Sequence, residues 1–162
     1  MKKIARISLV CSISVALLLL FSAVSRAGEK KPITIKKDDK CQVCGMFVAG
    51  YPTWVAEIIF NDGTYAVFDG PKDMFRYYFT IAKYSPGKKR SDINAIYVTE
   101  YYSAKFMDAR KGVLFVQGSD VMGPMGPDLV PVDTLDHAKV FMKDHQGKKI
   151  LKFDEVKKED LR

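Results

Sequence analysis

The sequence predicts an α+β fold made of two similar strand–strand–helix–strand units, at about 41–102 and 112–153, packed as one compact domain. Three observations predict it. A hairpin pattern opens the first half, where TWVAEIIF (Thr53 to Phe60) and TYAVFD flank the turn Asn61-Asp62-Gly63. Two junctions, AVFDGPKDMF and LVPVDTLDHAKVF, each carry an apolar strand end through an aspartate into an amphipathic helix. A further strand pattern follows each helix.

In chain order, Asp69 or Gly70 is placed to cap the first helix, with Pro71 at its first position. Met74, Phe75, Tyr78, Phe79 and Ala82 recur on one face, and Pro86 stops the helix. Ile93 to Tyr102 alternates loosely and predicts a strand, with Tyr97, Tyr101 and Tyr102 filling a strand face, the other reading being an exposed aromatic patch for docking a partner. In the second half Gly112 to Gln117 is a strand and the MGPMG segment a loop. Leu129 to Val132 is a short edge strand, since Pro131 lacks a donor. Asp133 is placed to cap a helix that buries Ala138, Phe141 and Met142. Lys149 to Phe153 makes a last strand, and the charged tail from Asp154 predicts a frayed helix.

Residues 1–27 read as a secretory signal peptide: Lys2, Lys3 and Arg6 precede the apolar run Ile7 to Val24, and Ser25-Arg26-Ala27 offers a cleavage point. The run is about 18 residues long, at the lower limit for a membrane span, so an uncleaved anchor is the alternative. Cys11 lies inside the run behind bulky Val10, which gives lipidation no support. Export to the periplasm or its equivalent follows, with membrane contact only through an uncleaved leader. Residues 28–40 are polar and lysine-rich and predict an extended tether.

Cleavage leaves 135 residues, enough for one domain that buries about two-thirds of its unfolded surface. The leader holds four of the 26 basic residues and no acidic one, so 22 remain against 19. That balance is too mild to predict nucleic-acid binding. Lys88-Lys89-Arg90 beside Pro86-Gly87 reads as a solvated loop.

Chemistry concentrates in Cys41 to Met46, CQVCGM, which sets two thiols and a thioether within six residues. Thiolate and thioether select monovalent copper, with zinc and iron–sulfur clusters competing for thiolates alone. Gly45 lets the backbone turn so that Cys44 and Met46 can aim at one point. An exported CxxC can also form a disulfide, but so small a loop constrains the unfolded chain little. Met122 and Met125 form a second sulfur cluster among glycines and prolines, whereas Met74 and Met142 fall at core spacing and Met107 reads as packing.

CGM after an exported N-terminus, then a W-x-A-E-I-I-F-x-D-G-T hairpin, an F-D-x-x-x-D-M helix and an MGPMG-x-D-L-V-P segment, together resemble the NosL-like proteins, accessory factors of nitrous oxide reductase. The resemblance covers most of the chain beyond the leader, from about Asp38. It implies a periplasmic copper(I)-binding carrier of two strand–strand–helix–strand units, related in fold to organomercurial lyase, that delivers copper to a copper enzyme, in this family nitrous oxide reductase. The metal ligands it implies fall on Cys44 and Met46, with Met122 or Met125 third; Cys41 is an additional candidate. His137, in the first turn after Asp133 and on one helix face with Phe141 and His145, is a further candidate ligand whose other reading is a packed or surface histidine.

Other chemistries fare less well. Thioredoxin-type activity rests on a strand before the CxxC and a helix after it, whereas here a polar stretch precedes and Gly-Met follows. An exported dithiol–disulfide redox protein is nonetheless the alternative function. Structural zinc takes four ligands, and only two cysteines and two distant histidines offer themselves. Gly45 stands where haem attachment requires histidine. A lyase reaction does not follow from fold kinship. No phosphate loop or nucleophile elbow is present, so neither catalysis nor a small-molecule substrate is expected; Asp62, Asp69 and Asp133 read as turn and cap residues.

Overall fold

The computed structural model describes residues 28–161; residues 1–27, where a signal peptide is expected, lie outside the described residues. Asp62 accepts from Thr64 through both its N–H and its hydroxyl, which turns β1 (Ala56–Phe60) into β2 (Tyr65–Phe68). After α1 (Pro71–Phe79) and the short α2 (Ile81–Tyr84), β3 (Ile93–Thr99) pairs antiparallel with β1, and β4 (Phe106–Asp108) with β3. The second half sets β5 (Leu114–Gly123) between β6 (Gly126–Val132) and β7 (Lys149–Lys152), with α3 (Leu135–Asp144) after β6. The sheets run β2-β1-β3-β4 and β6-β5-β7, so in both units the first strand lies between the second and the third. That shared order is the structural form of the repeat seen in the sequence.

All five residues of β1 are buried because both faces of its sheet are covered. Helix α1 packs on one. On the other, Ile59, Ala95 and Tyr97 meet Ile33 of the N-terminal stretch. That stretch is extended as expected but laid across the sheet. Lys30 N–H donates to Asn94 (2.7 Å), the Tyr97 hydroxyl donates to Lys30 O (2.8 Å), and Ile33 N–H donates to the buried Glu57 carboxylate (3.2 Å).

The two units share one core. Phe75 of α1 meets Phe115 of β5 edge-on at 5.1 Å and Phe153 at 5.0 Å, among Ile58, Phe68, Ile96, Leu129 and Leu151. Truncating such a ring costs about 3–5 kcal/mol. Val116, one residue on, faces the other way and joins Val130, Val132, Ala138 and Phe141 beneath α3. Among the described residues no helix is long and apolar enough to cross a membrane.

Several local expectations are corrected. The first helix does not run to Pro86: Thr80 leaves helical geometry, so Tyr77 and Ile81 take the buried places predicted for Tyr78 and Ala82, and Ala82 is exposed. β3 ends at Thr99, since the Glu100 carboxylate accepts the N–H groups of Tyr102 (3.1 Å) and Ser103 (2.7 Å) and turns the chain. Tyr101 and Tyr102 are therefore exposed; only Tyr97 lies on the strand. β4 has no counterpart among the strands the sequence predicts. The MGPMG segment is the tip of the β5–β6 hairpin, with Met122 opposite Pro127 and Gly123 opposite Gly126. Thr134, not Asp133, caps α3, its hydroxyl accepting His137 N–H at 3.1 Å. The tail forms two short 3₁₀ turns and buries Leu161, whose carbonyl Arg76 holds at 3.0 Å.

Candidate metal centre

The thiol loop is built by its own backbone. Cys41 N–H donates to Met46 O (2.8 Å) and Gly45 N–H to Cys41 O (2.9 Å), with Gly45 at φ +80°, where other residues are strained. Gln42 N–H donates to Val67 O at 3.2 Å, and Cys41 bridges to Val67, which fastens the loop to the edge of β2. Two residues beyond Val67 the strand delivers Asp69, and one helical turn later comes Asp73 on the same side.

These elements bring four donors together. One donor atom from each of Cys41, Cys44, Asp69 and Asp73 lies within 4.8 Å of the others. The Cys44 thiol donates to Asp69 Oδ1 at 3.3 Å and the Cys41 thiol to Asp73 Oδ2 at 3.5 Å. Asp73 Oδ1 is paired with Arg76 at 2.9 Å. Asp69 Oδ2 is buried without a hydrogen-bond partner among the described residues, an arrangement whose desolvation cost a bound cation would relieve. Both cysteines are free; Cys41 is buried (3% exposed) and Cys44 half-buried.

Burial pushes the Cys41 thiol well above the ordinary thiol range, and the neighbouring Asp69 carboxylate adds to the rise. Cys44 is raised as well, again chiefly by burial. Both are therefore thiols rather than thiolates at neutral pH. A metal ion entering this site displaces protons, and carboxylate oxygens already accept those hydrogens. A nucleophilic redox cysteine needs the opposite shift.

The other predicted residues are placed as follows. Met46 closes the thiol loop and is half-buried. Met122 (56% exposed) and Met125 (46%) ride the hairpin tip, and Met122 lines a groove with Trp54, Tyr101 and Tyr102. The tip is held close to the first turn of α1, where Lys72 Nζ donates to Met125 O at 3.3 Å. His137 stands outside the four-donor cluster: its Nδ1 meets Asp133 at 2.5 Å and its ring faces Tyr102 at 5.0 Å. His145 Nδ1 meets Asp120 at 3.2 Å.

Sequence reasoning missed Asp69 and Asp73 as members of the site. Of the two caps the sequence offers, Gly70 holds the N-cap position, and Asp69 turns to the thiols instead. The available signal was the F-D-x-x-x-D-M spacing, which sets two carboxylates one turn apart beside a strand fastened to the CxxC loop. The ligand count used against zinc is corrected too, since four donors do converge.

Fold and site together define a two-unit α+β protein with a thiol–carboxylate corner, between its N-terminal loop and its first helix, whose donor spacing fits a metal ion. The NosL family model matches residues 32–161, and the chain belongs to that family. The crystal structure of the copper chaperone NosL from Shewanella denitrificans is similar in fold, with a TM-score of 0.67 at 24% identity, covering 80% of this chain and 98% of that one. No curated protein matches the chain.

Proposed function

We propose that this protein carries copper(I) as cargo in an exported compartment and hands it to a copper enzyme, nitrous oxide reductase being the client its family points to. The observation that carries the reading is the convergence of two free thiols at 41 and 44 with Asp69 and Asp73, in a fold that exposes two thioethers on a hairpin tip tied by Lys72 to the start of the same helix. Soft sulfur donors favour copper(I) over the harder cations that carboxylates prefer. Membership of the NosL family and the likeness in fold to a protein described as a copper chaperone support the same conclusion.

In this reading the half-buried Cys44 thiolate and the Met46 thioether are the primary ligands, Met122 or Met125 supplies the third, and buried Cys41 is auxiliary. Asp69 accepts the Cys44 S–H hydrogen bond, and the proton leaves to solvent when the thiolate binds. Few ligands on loops leave the shell open, so an acceptor ligand attacks before the donor leaves and exchange replaces dissociation. The leader sets the periplasm or its equivalent as the place of action.

A zinc reading has one specific observation in its favour, the count of four donors in Cys41, Cys44, Asp69 and Asp73. Parallel competition of the reduced protein against a copper(I) chelator and a zinc chelator separates the two. Retention of copper(I) with loss of zinc supports the carrier; the reverse order overturns it.

A further inference from the structure

The first turn of α1 divides its neighbours between two faces. Asp69 and Asp73, four residues apart, face the thiols. Gly70 and Lys72 face the other unit's methionine hairpin. Lys72 N–H donates to Asp128 Oδ1 at 2.7 Å, so a carboxylate from β6 caps a helix whose own N-cap is a glycine. In return the Lys72 ammonium donates to two carbonyls of the hairpin tip, Met125 O at 3.3 Å and Pro127 O. Both partners are buried, Lys72 at 6% exposure and Asp128 at 7%.

The surrounding backbone is shaped for this exchange. The β5–β6 register shifts between Gln117 and Met122, leaving residues 118–121 opposite Asp128 alone. The Asp128 carboxylate fills the space where residue 70 would carry a Cβ, and a Cβ on residue 123 would lie 3.0 Å from it. Asp128 Oδ1 also accepts Leu129 N–H at 2.7 Å, which fixes its own rotamer.

We infer that Lys72 and Asp128 are positioning residues: their reciprocal clamp sets the tip bearing Met122 and Met125 against the helix turn that carries Asp69 and Asp73, and thereby makes a thioether available to a metal ion held by the thiols. This rests on the copper(I) reading above. Neither residue touches the cargo. Each acts through the hairpin, as outer-shell partners of ligands do, and their loss typically costs 10–100-fold in metal affinity.

The test is anaerobic competition of the full, reduced protein against a copper(I) chelator, for wild type, Lys72→Met, Met122→Leu/Met125→Leu and the triple variant. Lys72→Met is expected to weaken copper(I) binding about tenfold or more in the wild-type background and to add nothing once the methionines are gone. Asp128→Ala should lose as much, and Asp128→Asn, which keeps the accepting oxygen, should restore it. Wild-type affinity in folded Lys72→Met or Asp128→Ala overturns the inference, as does equal loss in both methionine backgrounds, which marks a merely structural role. Should Lys72→Met not fold, the Asp128→Ala and Asp128→Asn pair decides. Absence of copper(I) binding by wild type sinks the carrier reading itself, an outcome distinct from these.

Discussion

The thiol of Cys44 donates to Asp69 Oδ1 across 3.3 Å, joining residues 25 apart in sequence. The contact exists because the thiol loop is tacked to β2 at Val67, just before the strand gives way to α1. It makes Asp69 either a ligand or the hydrogen-bond acceptor that orients the thiol, and the two roles respond differently to substitution.

Asp69→Asn keeps the shape and an accepting oxygen but removes the charge. If sulfur holds the cargo, copper(I) affinity stays within a few-fold of wild type. Zinc affinity drops about 10–100-fold, since a hard ligand is lost. Chelator competition with both metals reads this, and an equal loss for both would make Asp69 a copper ligand.

Metal uptake should be proton-coupled. Burial raises both thiols, so each must release a proton to bind. Apparent copper(I) affinity should rise about tenfold per pH unit for each thiol deprotonated, between about pH 6 and 8. Titration calorimetry in buffers of different ionisation enthalpy counts the protons directly; a count of zero would contradict the assignment of either thiol as ligand.

Glu57 lies fully buried under the N-terminal stretch, and burial pushes its carboxyl up to about 7. A carboxyl raised on folding gives stability that is full below its unfolded value near 4.5 and is lost as pH rises through about 7, because the native state binds the extra proton in that window. Glu57→Gln should flatten that fall, of order 1–3 kcal/mol, in denaturant melts across the window. An unchanged slope would assign the pH dependence elsewhere.

The close approach at Gly70 predicts a costly methyl group. Gly70→Ala sets a Cβ into the Asp128 carboxylate and should destabilise by about 1–3 kcal/mol. Gly50→Ala, with open space around it, should stay within about 0.5 kcal/mol. Equal melting temperatures for the two would contradict the packing of β6 on α1.

What was legible in the sequence was whatever repeats locally. The Asn61-Asp62-Gly63 hairpin, Pro71 at the start of α1, the edge position of the strand with Pro131 and the strand–strand–helix–strand order all follow from turn chemistry and periodicity. The thiol pair was legible for the same reason, as two cysteines two residues apart. What escaped depends on contacts between distant segments. Asp69 and Asp73 acquire their meaning only when the loop at 41 is fastened to β2, and Asp128 only when β6 reaches the helix of the other unit. Glu100 ended β3 through side-chain bonds to the following turn, which no period reveals. His137 shared a helix face with core positions but found Asp133 and Tyr102 instead.

The most direct measurement is anaerobic titration of the reduced protein lacking its leader against a chromogenic copper(I) chelator, with Cys41→Ser, Cys44→Ser and Met46→Leu alongside. The account predicts that wild type withdraws about one copper per chain, that Cys44→Ser and Met46→Leu fail to compete, and that Cys41→Ser still competes. Copper withdrawal by none of the four proteins would contradict it and turn attention to the dithiol chemistry of the same two cysteines.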